Sequence, residues 1–484
     1  MPCTTILVGK KASYDGSTMI ARNDDGNFDV KKMVVVTPDK QPKKYRSVIG
    51  HLTVDLNEKP LRYTSCPNVD LKEGIWAATG MNEANVGMTA TETITTNPRV
   101  LGADPLVRYR KAKKRGEKDV PGGIGEEDLL VLVLPYIRSA REGVCRLGDL
   151  LEKYGTYESN GIAFQDENEI WWLETIGGHH WIARRVRDEE CVIMPNRFGL
   201  DHFDFDDAYG KGRENLCSAD LREFIEANRL DLSQNGIFNP RETFGSHSDA
   251  DHVYNTPRSW YMGRYLCPTT IRWEGPDAAY TPESDDIPWA VIPEKKVTVE
   301  DVKYLLGSHF QGTPYDPYAP DGQYRYRTIG KNNTSTMSIC QIRPDRPDPI
   351  KSVEWICFGS PTFVTVFPVY ANADRLPAYL SQVTTDVSTD NFFWSSCLIA
   401  ALLDPHYKSG IMYAEHYQAK VMSRGHEILG RYDREMTESK DFSLIAKANE
   451  ELCAMAKEET QKTMNEVVLF ASESMKSTFH RGDY

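Results

Sequence analysis

The feature that most constrains the fold is a run of strand-forming, aromatic-rich segments between residues 161 and 186. Residues 162–164 precede a polar turn at 166–169, and residues 170–173 precede a glycine turn at Gly177-Gly178. The segment from His180 to Val186 follows that turn directly. Aromatic and β-branched residues favour strands, and short polar or glycine turns join strands that lie side by side. The pattern predicts an antiparallel meander.

The N-terminus carries a second strand signal. Residues 3–8 are rich in β-prone side chains, Asp15-Gly16 is a turn signal, and residues 17–21 can form a returning strand. We therefore expect a hairpin in which Cys3 begins a strand.

Helical periodicity precedes the meander and also ends the chain. Pro135 interrupts the first apolar stripe, and Gly155 closes the second. The apolar residues at helical spacing are Leu130, Val133, Leu134 and Ile137, then Val144, Leu147, Leu151 and Tyr154, and later Ile445, Ala448, Leu452, Met455, Met464, Val467, Val468 and Ala471. Helices, then antiparallel strands, then helices predict an α+β fold.

Bulk composition excludes several classes of protein. The 484 residues carry a net charge of −13, which disfavours general binding to nucleic acid or to anionic membranes. No stretch approaches the roughly 18 consecutive apolar residues that a membrane-spanning helix needs, and the first residues do not resemble a secretory signal. The ten cysteines lack metal-binding spacing. We expect free thiols and a cytoplasmic location.

Cys3 is the strongest candidate for a catalytic residue in this sequence. A buried structural cysteine is the common alternative, but only Met1 and Pro2 precede Cys3. If both were removed, the thiol would share a Cα with a free amine, whose ordinary pKa of about 7.7–8.0 suits a general base. This pairs a nucleophile with a terminal amine. In the uncut chain that nitrogen is an amide and cannot act as a base.

Ten segments, in order across most of the chain, are similar to the dipeptidase A family, cysteine dipeptidases of the N-terminal-nucleophile hydrolase superfamily. They are CTTILVG (3–9), DGS (15–17), ARNDD (21–25), GMNE (80–83), ATET (90–93), GGIGEED (122–128), ETIGGHHW (174–181), PNR (195–197), YNTPR (254–258) and QGTPYDP (311–317). Each match alone is weak, and the ordered set is strong.

The resemblance implies a four-layer αββα sandwich with a helical C-terminal region. The corresponding division is a hydrolase core at residues 3–405 and a helical extension at residues 406–484. It also implies hydrolysis of small peptides through a Cys3 thioester, self-cleavage of the short leader, and neither a cofactor nor a metal. Dipeptides are the expected partners, and the sequence leaves open whether the chain forms a homo-oligomer.

Four further residues gain roles from the related penicillin V and bile-salt acylases. Arg22 would favour the Cys3 thiolate, and Asp25 would orient the free α-amine. Asn196 would support the oxyanion, and Arg258 resembles a later active-site arginine. The alternatives are a surface ion pair for Arg22 and Asp25, a turn residue for Asn196, and a solvated charge for Arg258.

Glu92 departs from the acylase pattern, where an asparagine contributes to the oxyanion hole. An ionised carboxylate cannot donate a hydrogen bond, so the hole would depend on backbone N–H groups and Asn196. We hypothesise that Glu92 binds the α-ammonium of a dipeptide.

Other patterns favour structural readings. The stretch from His247 to His252 lacks a zinc motif and is expected to be a polar loop. The basic run at residues 108–118 is interspersed with acids and predicts a solvated loop or helix face. The GGIGEED segment predicts a loop that leads into a helix with an acidic first turn.

Two competing functions remain open. One is an acylase that acts on N-acylated small molecules with the same core. The other is a non-catalytic regulator similar to the secernins, whose N-terminus would stay untrimmed.

Overall fold

The computed structural model describes residues 3–26, 29–89, 92–234 and 236–477, without the side chain of Glu92. Met1 and Pro2, and with them the leader, lie outside the described residues, as do Ala90 and Thr91 of the ATET segment.

Most strands are short, and each strand pairing within the sheets is antiparallel. The strands are β1 (Cys3–Val8), β2 (Thr18–Asp25), β3 (Val34–Val36), β4 (Lys44–Arg46), β5 (Thr53–Asp55), β6 (Tyr63–Ser65), β7 (Thr79–Met81), β8 (Gly87–Thr89), β9 (Glu92–Thr93), β10 (Asn160–Gln165), β11 (Ile170–Ile176), β12 (His180–Val186), β13 (Cys191–Met194), β14 (Asn215–Cys217), β15 (Ala290–Val291), β16 (Thr334–Ile342), β17 (Ser352–Phe358) and β18 (Phe367–Tyr370).

The strands form two large sheets. The first has the order β15-β13-β1-β2-β16-β17-β18, and the second has the order β14-β12-β11-β10-β8-β7 with β9 paired to β10. Two-stranded sheets join β3 to β6 and β4 to β5. Strands β1 and β2 are therefore central, and β1 lies between β2 and β13.

The helices begin after β9, separate later strands of the sheets and end the described chain. They are α1 (Pro98–Ala103), α2 (Glu126–Val133), α3 (Ala140–Tyr154), α4 (Phe205–Ala208), α5 (Leu221–Asn228), α6 (Pro240–Phe244), α7 (Asp249–Tyr254), α8 (Thr256–Leu266), α9 (Val299–Leu306), α10 (Asp348–Lys351), α11 (Ala378–Ser381), α12 (Phe392–Leu403), α13 (Tyr407–Ser439) and α14 (Leu444–Glu473). No helix in the described part of the chain has the apolar length that a bilayer crossing requires.

Side-chain alternation along the strands divides the core into three clusters. Leu7 and Ile20 of the first sheet pack with Trp172 of the second sheet, so the two sheets face each other. On the other face of the first sheet, Ile6 packs in a cluster with residues of α8, α9 and α12 to α14. Trp171 points away from Trp172 and packs in a cluster with residues of α2 and α3. The layers are therefore helices, sheet, sheet and helices.

This arrangement confirms the predicted α+β class, with antiparallel sheets and a helical C-terminal region. The meander is β10 to β12, and the N-terminal hairpin is β1 and β2. The predicted return strand ended at residue 21, whereas β2 continues to Asp25. Helix α2 gives way to a 3₁₀ turn at Leu134–Tyr136, where Pro135 was expected to disturb it.

One predicted loop is wrong. The stretch between His247 and His252 contains the start of α7, because Ser248 and Asp251 form a reciprocal N-terminal cap. The basic run at residues 108–118 contains no helix and is mostly exposed, as expected, and α2 begins with three acidic residues after Gly125.

Asp104, directly after α1, stabilises the turn between β11 and β12 through hydrogen bonds. Its carboxylate accepts a hydrogen bond from the backbone nitrogen of His179 at 2.7 Å and lies 2.7 Å from Nδ1 of His180. Nδ1 of His179 lies 3.0 Å from the other carboxylate oxygen. Burial raises the pKa of Asp104, but the bonds from both histidines outweigh burial and lower it to about 2.

We predict that Asp104→Asn destabilises the protein by about 1–2 kcal/mol at pH 7. This is less than the full pKa shift of Asp104 implies, because the side chain of His179 is half-exposed and solvent screens its interaction with the carboxylate. A carboxyl whose pKa is lowered on folding stabilises the fold above its unfolded value and loses that effect as the pH falls toward 2. The difference from wild type in urea titrations should thus persist from pH 7 to 5 and shrink below pH 4. Asp149→Asn, an exposed control on α3, should change stability by less than about 0.5 kcal/mol. An undiminished difference at low pH would contradict this assignment.

Candidate active site

Cys3 lies at the first position of β1, at one end of the first sheet. It is opposite Asp24 of β2, and its side chain has 0% exposed surface. Its backbone nitrogen donates a hydrogen bond to Oδ1 of Asn196 at 3.0 Å. In the chain as printed this nitrogen is the amide that joins Cys3 to Pro2.

Arg22 lies beside the thiol. Its Nη2 is 2.9 Å from Sγ of Cys3, 3.2 Å from Oδ1 of Asp24 and 2.6 Å from Oε1 of Glu126. Because its side chain is 1% exposed, the alternative of a surface ion pair is wrong. A guanidinium at this distance favours the thiolate, although the two carboxylates share its charge. The structure brings Arg22 and Cys3 together, and the role of Arg22 in thiolate formation stays a prediction.

Asp24 and Lys31 complete this buried ionic network. Nζ of Lys31 lies 2.8 Å from Oδ2 of Asp24 and donates a hydrogen bond to the carbonyl of Trp76 at 2.6 Å. Burial raises the pKa of Asp24, but Lys31 and then Arg22 outweigh burial and lower it. Asp24 is therefore a carboxylate held by two cations.

Sequence reasoning missed Asp24, Lys31 and Glu126. The period of two along a strand could have identified Asp24, since residues 22 and 24 share a face and Asp25 points to the other face. Glu126 was interpreted only as an acidic residue in the first turn of a helix.

Asp25 contacts a different set of residues. Its carboxylate forms an ion pair with Arg327 and accepts a hydrogen bond from Oγ1 of Thr334 at 2.5 Å. Its side chain is 0% exposed, so a surface pair is excluded here too. The bond from a free α-amine to Asp25 stays a prediction, because that amine does not exist in the uncut chain.

Arg258 connects Asn196 to β1. On α8 it is 0% exposed, which excludes the solvated alternative. Its guanidinium donates to the carbonyl of Cys3, to Oγ1 of Thr4 at 2.7 Å and to Oδ1 of Asn196 at 2.7 Å. Nδ2 of Asn196 donates to the carbonyl of Thr93 at 2.9 Å. Arg258 and Thr93 thus fix the amide so that Oδ1 faces the Cys3 nitrogen. Support of an oxyanion by Asn196 stays a prediction.

Glu92 lies on β9, opposite Gly161 of β10. Its side chain falls outside what the structure describes, so binding of an ammonium by Glu92 stays a prediction. Its backbone is close to Asn160, which pairs with Thr93.

A carboxylate pair lies next to the network around Arg22. Oε1 of Glu158 accepts a hydrogen bond from the backbone nitrogen of Glu126 at 2.6 Å. Burial, and then repulsion from Glu126, raises the pKa of Glu158 to about 7. Cys3 is therefore close to more acidic groups than the motifs alone indicated.

The donor atoms of Cys3, Asp24 and Glu126 lie within 4.8 Å of one another, which is a spacing that suits a metal ion. However, Nη2 of Arg22 contacts all three atoms. The guanidinium takes the position between them that a cation would need.

A cavity of about 1230 Å³ lies on the Asp25 side of the first sheet. Its lining includes Tyr254, Arg327 and Thr334, and the carbonyl of Tyr254 accepts a hydrogen bond from Nε of Arg258 at 2.6 Å. Cys3 is not among the described residues that line it. The cavity therefore reaches the site through the partners of Asp25 and Arg258 rather than through the thiol.

Comparison with known proteins gives consistent matches. The family model of Peptidase family C69 matches residues 2–420. The chain is 51% identical to a protein named "Dipeptidase" from Bifidobacterium longum (strain NCC 2705), over 100% of both chains. It is 48% identical to "Probable dipeptidase A" of Streptococcus pyogenes serotype M3, over 100% of both. It is 44% identical to "Probable dipeptidase B" of Lactococcus lactis subsp. lactis, over 99% of this chain and 98% of that protein.

A family match over most of the chain, together with relatives of this identity that align from end to end, establishes the relationship. The chain belongs to peptidase family C69.

Proposed function

We propose that this peptidase is a cysteine dipeptidase that acts through Cys3 after Met1 and Pro2 have been removed. The observation that carries the proposal is the 2.9 Å contact between Nη2 of Arg22 and Sγ of Cys3 at the start of β1. The names of the relatives supply the substrate class, since they are called dipeptidases.

The first half of the reaction forms a thioester. The α-amine of Cys3 takes the thiol proton while Sγ attacks the scissile carbonyl carbon, whose oxygen becomes an oxyanion. When the oxyanion collapses, the C–N bond breaks and the α-ammonium gives its proton to the leaving amine. One amino acid departs, and the other remains bound to Sγ.

The second half consumes one water. The α-amine accepts a proton from the water while the water oxygen attacks the thioester carbon. Collapse of the new oxyanion then breaks the C–S bond. The proton returns to the sulfur, and the second amino acid leaves. General-base assistance of this kind contributes about 10²–10⁴-fold to the rate.

The arrangement around the Cys3 nitrogen supports the use of that atom as the base. Oδ1 of Asn196 lies 3.0 Å from it, and Arg258 orients the same oxygen. An amide oxygen that accepts from the backbone N–H can equally accept from a released amine. We propose that Asn196 and Asp25 orient that amine, and that backbone N–H groups together with Asn196 stabilise the oxyanion.

We also propose how the chain is divided into domains and where in the cell the protein acts. We assign catalysis to residues 3–405 and regard 406–484 as a helical extension, because α13 and α14 occupy the latter range. We propose a reducing, cytoplasmic setting, which is supported by the nine described cysteines other than Cys3, none of which forms a disulfide.

We predict that Cys3→Ala lowers kcat for a dipeptide such as Ala-Ala by at least about 10³-fold, since the attacking atom is gone. Circular dichroism should remain that of the wild type. Cys145→Ala provides the matched control, because Cys145 is an exposed cysteine on α3. Full activity of Cys3→Ala would disprove the proposal.

We predict that Glu92→Gln raises KM for Ala-Ala by about tenfold, because a neutral amide attracts an ammonium less than a carboxylate does. Steady-state kinetics provide the measurement, and Glu226→Gln on the exposed face of α5 is the control. Unchanged KM and kcat in Glu92→Gln would exclude substrate binding by this side chain.

A further inference from the structure

The chemistry of a dipeptide limits where its amine can lie. The scissile carbonyl belongs to the first residue, so the α-nitrogen is only two bonds from the carbon that Sγ attacks. Standard bond lengths place that nitrogen within about 4–5 Å of the attacking sulfur. Any group that recognises the free amine must therefore lie close to Cys3.

The described carboxylates close to this sulfur belong to Asp24 and Glu126. Their oxygens lie within 4.8 Å of Sγ, and Glu158 is bonded to the backbone of Glu126. Lys31 and Arg22 both contact Asp24, whereas Glu126 contacts Arg22. Among the described residues no cationic side chain forms an ion pair with Glu158.

Asn160 supplies an independent indication. It is 1% exposed, and its side-chain amide lies close enough to Glu158 to lower the pKa of that carboxyl. Its Oδ1 has no hydrogen-bond donor among the described residues. A buried acceptor without a donor is costly, and an ammonium carries three N–H donors and no acceptor. The amide oxygen next to Glu158 therefore has the chemistry that an ammonium would satisfy.

We propose that Glu158, with Glu126 and Oδ1 of Asn160, binds the α-ammonium of the substrate's first residue. This rests on the proposed dipeptidase function and extends it, because it makes a free N-terminal amine the feature that the site selects. N-acylated compounds lack that positive charge and its N–H donors, so they would leave the Asn160 oxygen without a donor. The site consequently favours peptides over acylated small molecules.

The electrostatics agree with this assignment. Burial, followed by repulsion from Glu126, raises the pKa of Glu158 to about 7. An arriving ammonium would offset this repulsion between the two carboxylates. The backbone of Glu92 lies opposite Gly161, directly after Asn160, so the Glu92 hypothesis concerns the same end of the β9–β10 pair.

The test compares Ala-Ala with propionyl-alanine, in which hydrogen replaces the α-ammonium. KM is measured for Ala-Ala, and Ki is measured for propionyl-alanine as a competitive inhibitor. Wild-type enzyme should prefer Ala-Ala by at least about tenfold. In Glu158→Gln, KM for Ala-Ala should rise by at least about tenfold while Ki stays within about twofold. The glutamine oxygen can still accept the hydrogen bond from the backbone nitrogen of Glu126, and the variant removes the negative charge. Glu226→Gln should retain the wild-type ratio.

Three results would overturn the inference. The first is a wild-type enzyme that does not discriminate between the two compounds, and the second is a Glu158→Gln variant that retains the preference for Ala-Ala. The third is a Glu158→Gln variant that binds both compounds equally more weakly, which would indicate a structural role for Glu158. The proposed function is judged separately. If Cys3-dependent hydrolysis of Ala-Ala persists, only this inference fails, whereas absence of hydrolysis by trimmed wild-type enzyme removes the proposed function itself.

Discussion

The candidate site is organised around a buried guanidinium. Nη2 of Arg22 contacts the sulfur of Cys3 and one oxygen each of Asp24 and Glu126. An arginine is held in such a place only when its charge and its N–H donors are matched, because burying an unpaired charge is very costly. The carboxylates are consequently necessary for the buried arginine, and we predict that the arginine in turn favours a thiolate at this position.

The network also links segments that are distant in sequence. Cys3 and Arg22 come from adjacent central strands, Glu126 begins α2, and Arg258 lies on α8. Arg258 reaches the carbonyl of Cys3 and the amide of Asn196, so the helical layer and the first sheet are joined at Cys3. The positions of these side chains therefore depend on the packing of the layers rather than on any single loop.

The sequence was most informative where local rules operate. The hairpin, the meander and the C-terminal helices follow from periodicity and turn residues, and the motifs identified Cys3, Arg22, Asn196 and Arg258. Residues 22–25 were not predicted as strand, because aspartate and asparagine disfavour strands, yet β2 includes them between β1 and β16. Their polar groups find partners such as Lys31 and Arg327 only in the folded chain. Long-range partners of this kind leave no local signal.

The central claim is that the nitrogen of Cys3 becomes a free amine that acts as the base. The most direct measurement is N-terminal sequencing, together with intact mass, of purified enzyme whose active fraction has been established by titration of the reactive thiol. We predict that active molecules begin at Cys3, with Met1 and Pro2 absent. Fully active molecules that begin at Met1 or Pro2 would contradict the account, because an amide nitrogen cannot accept the proton.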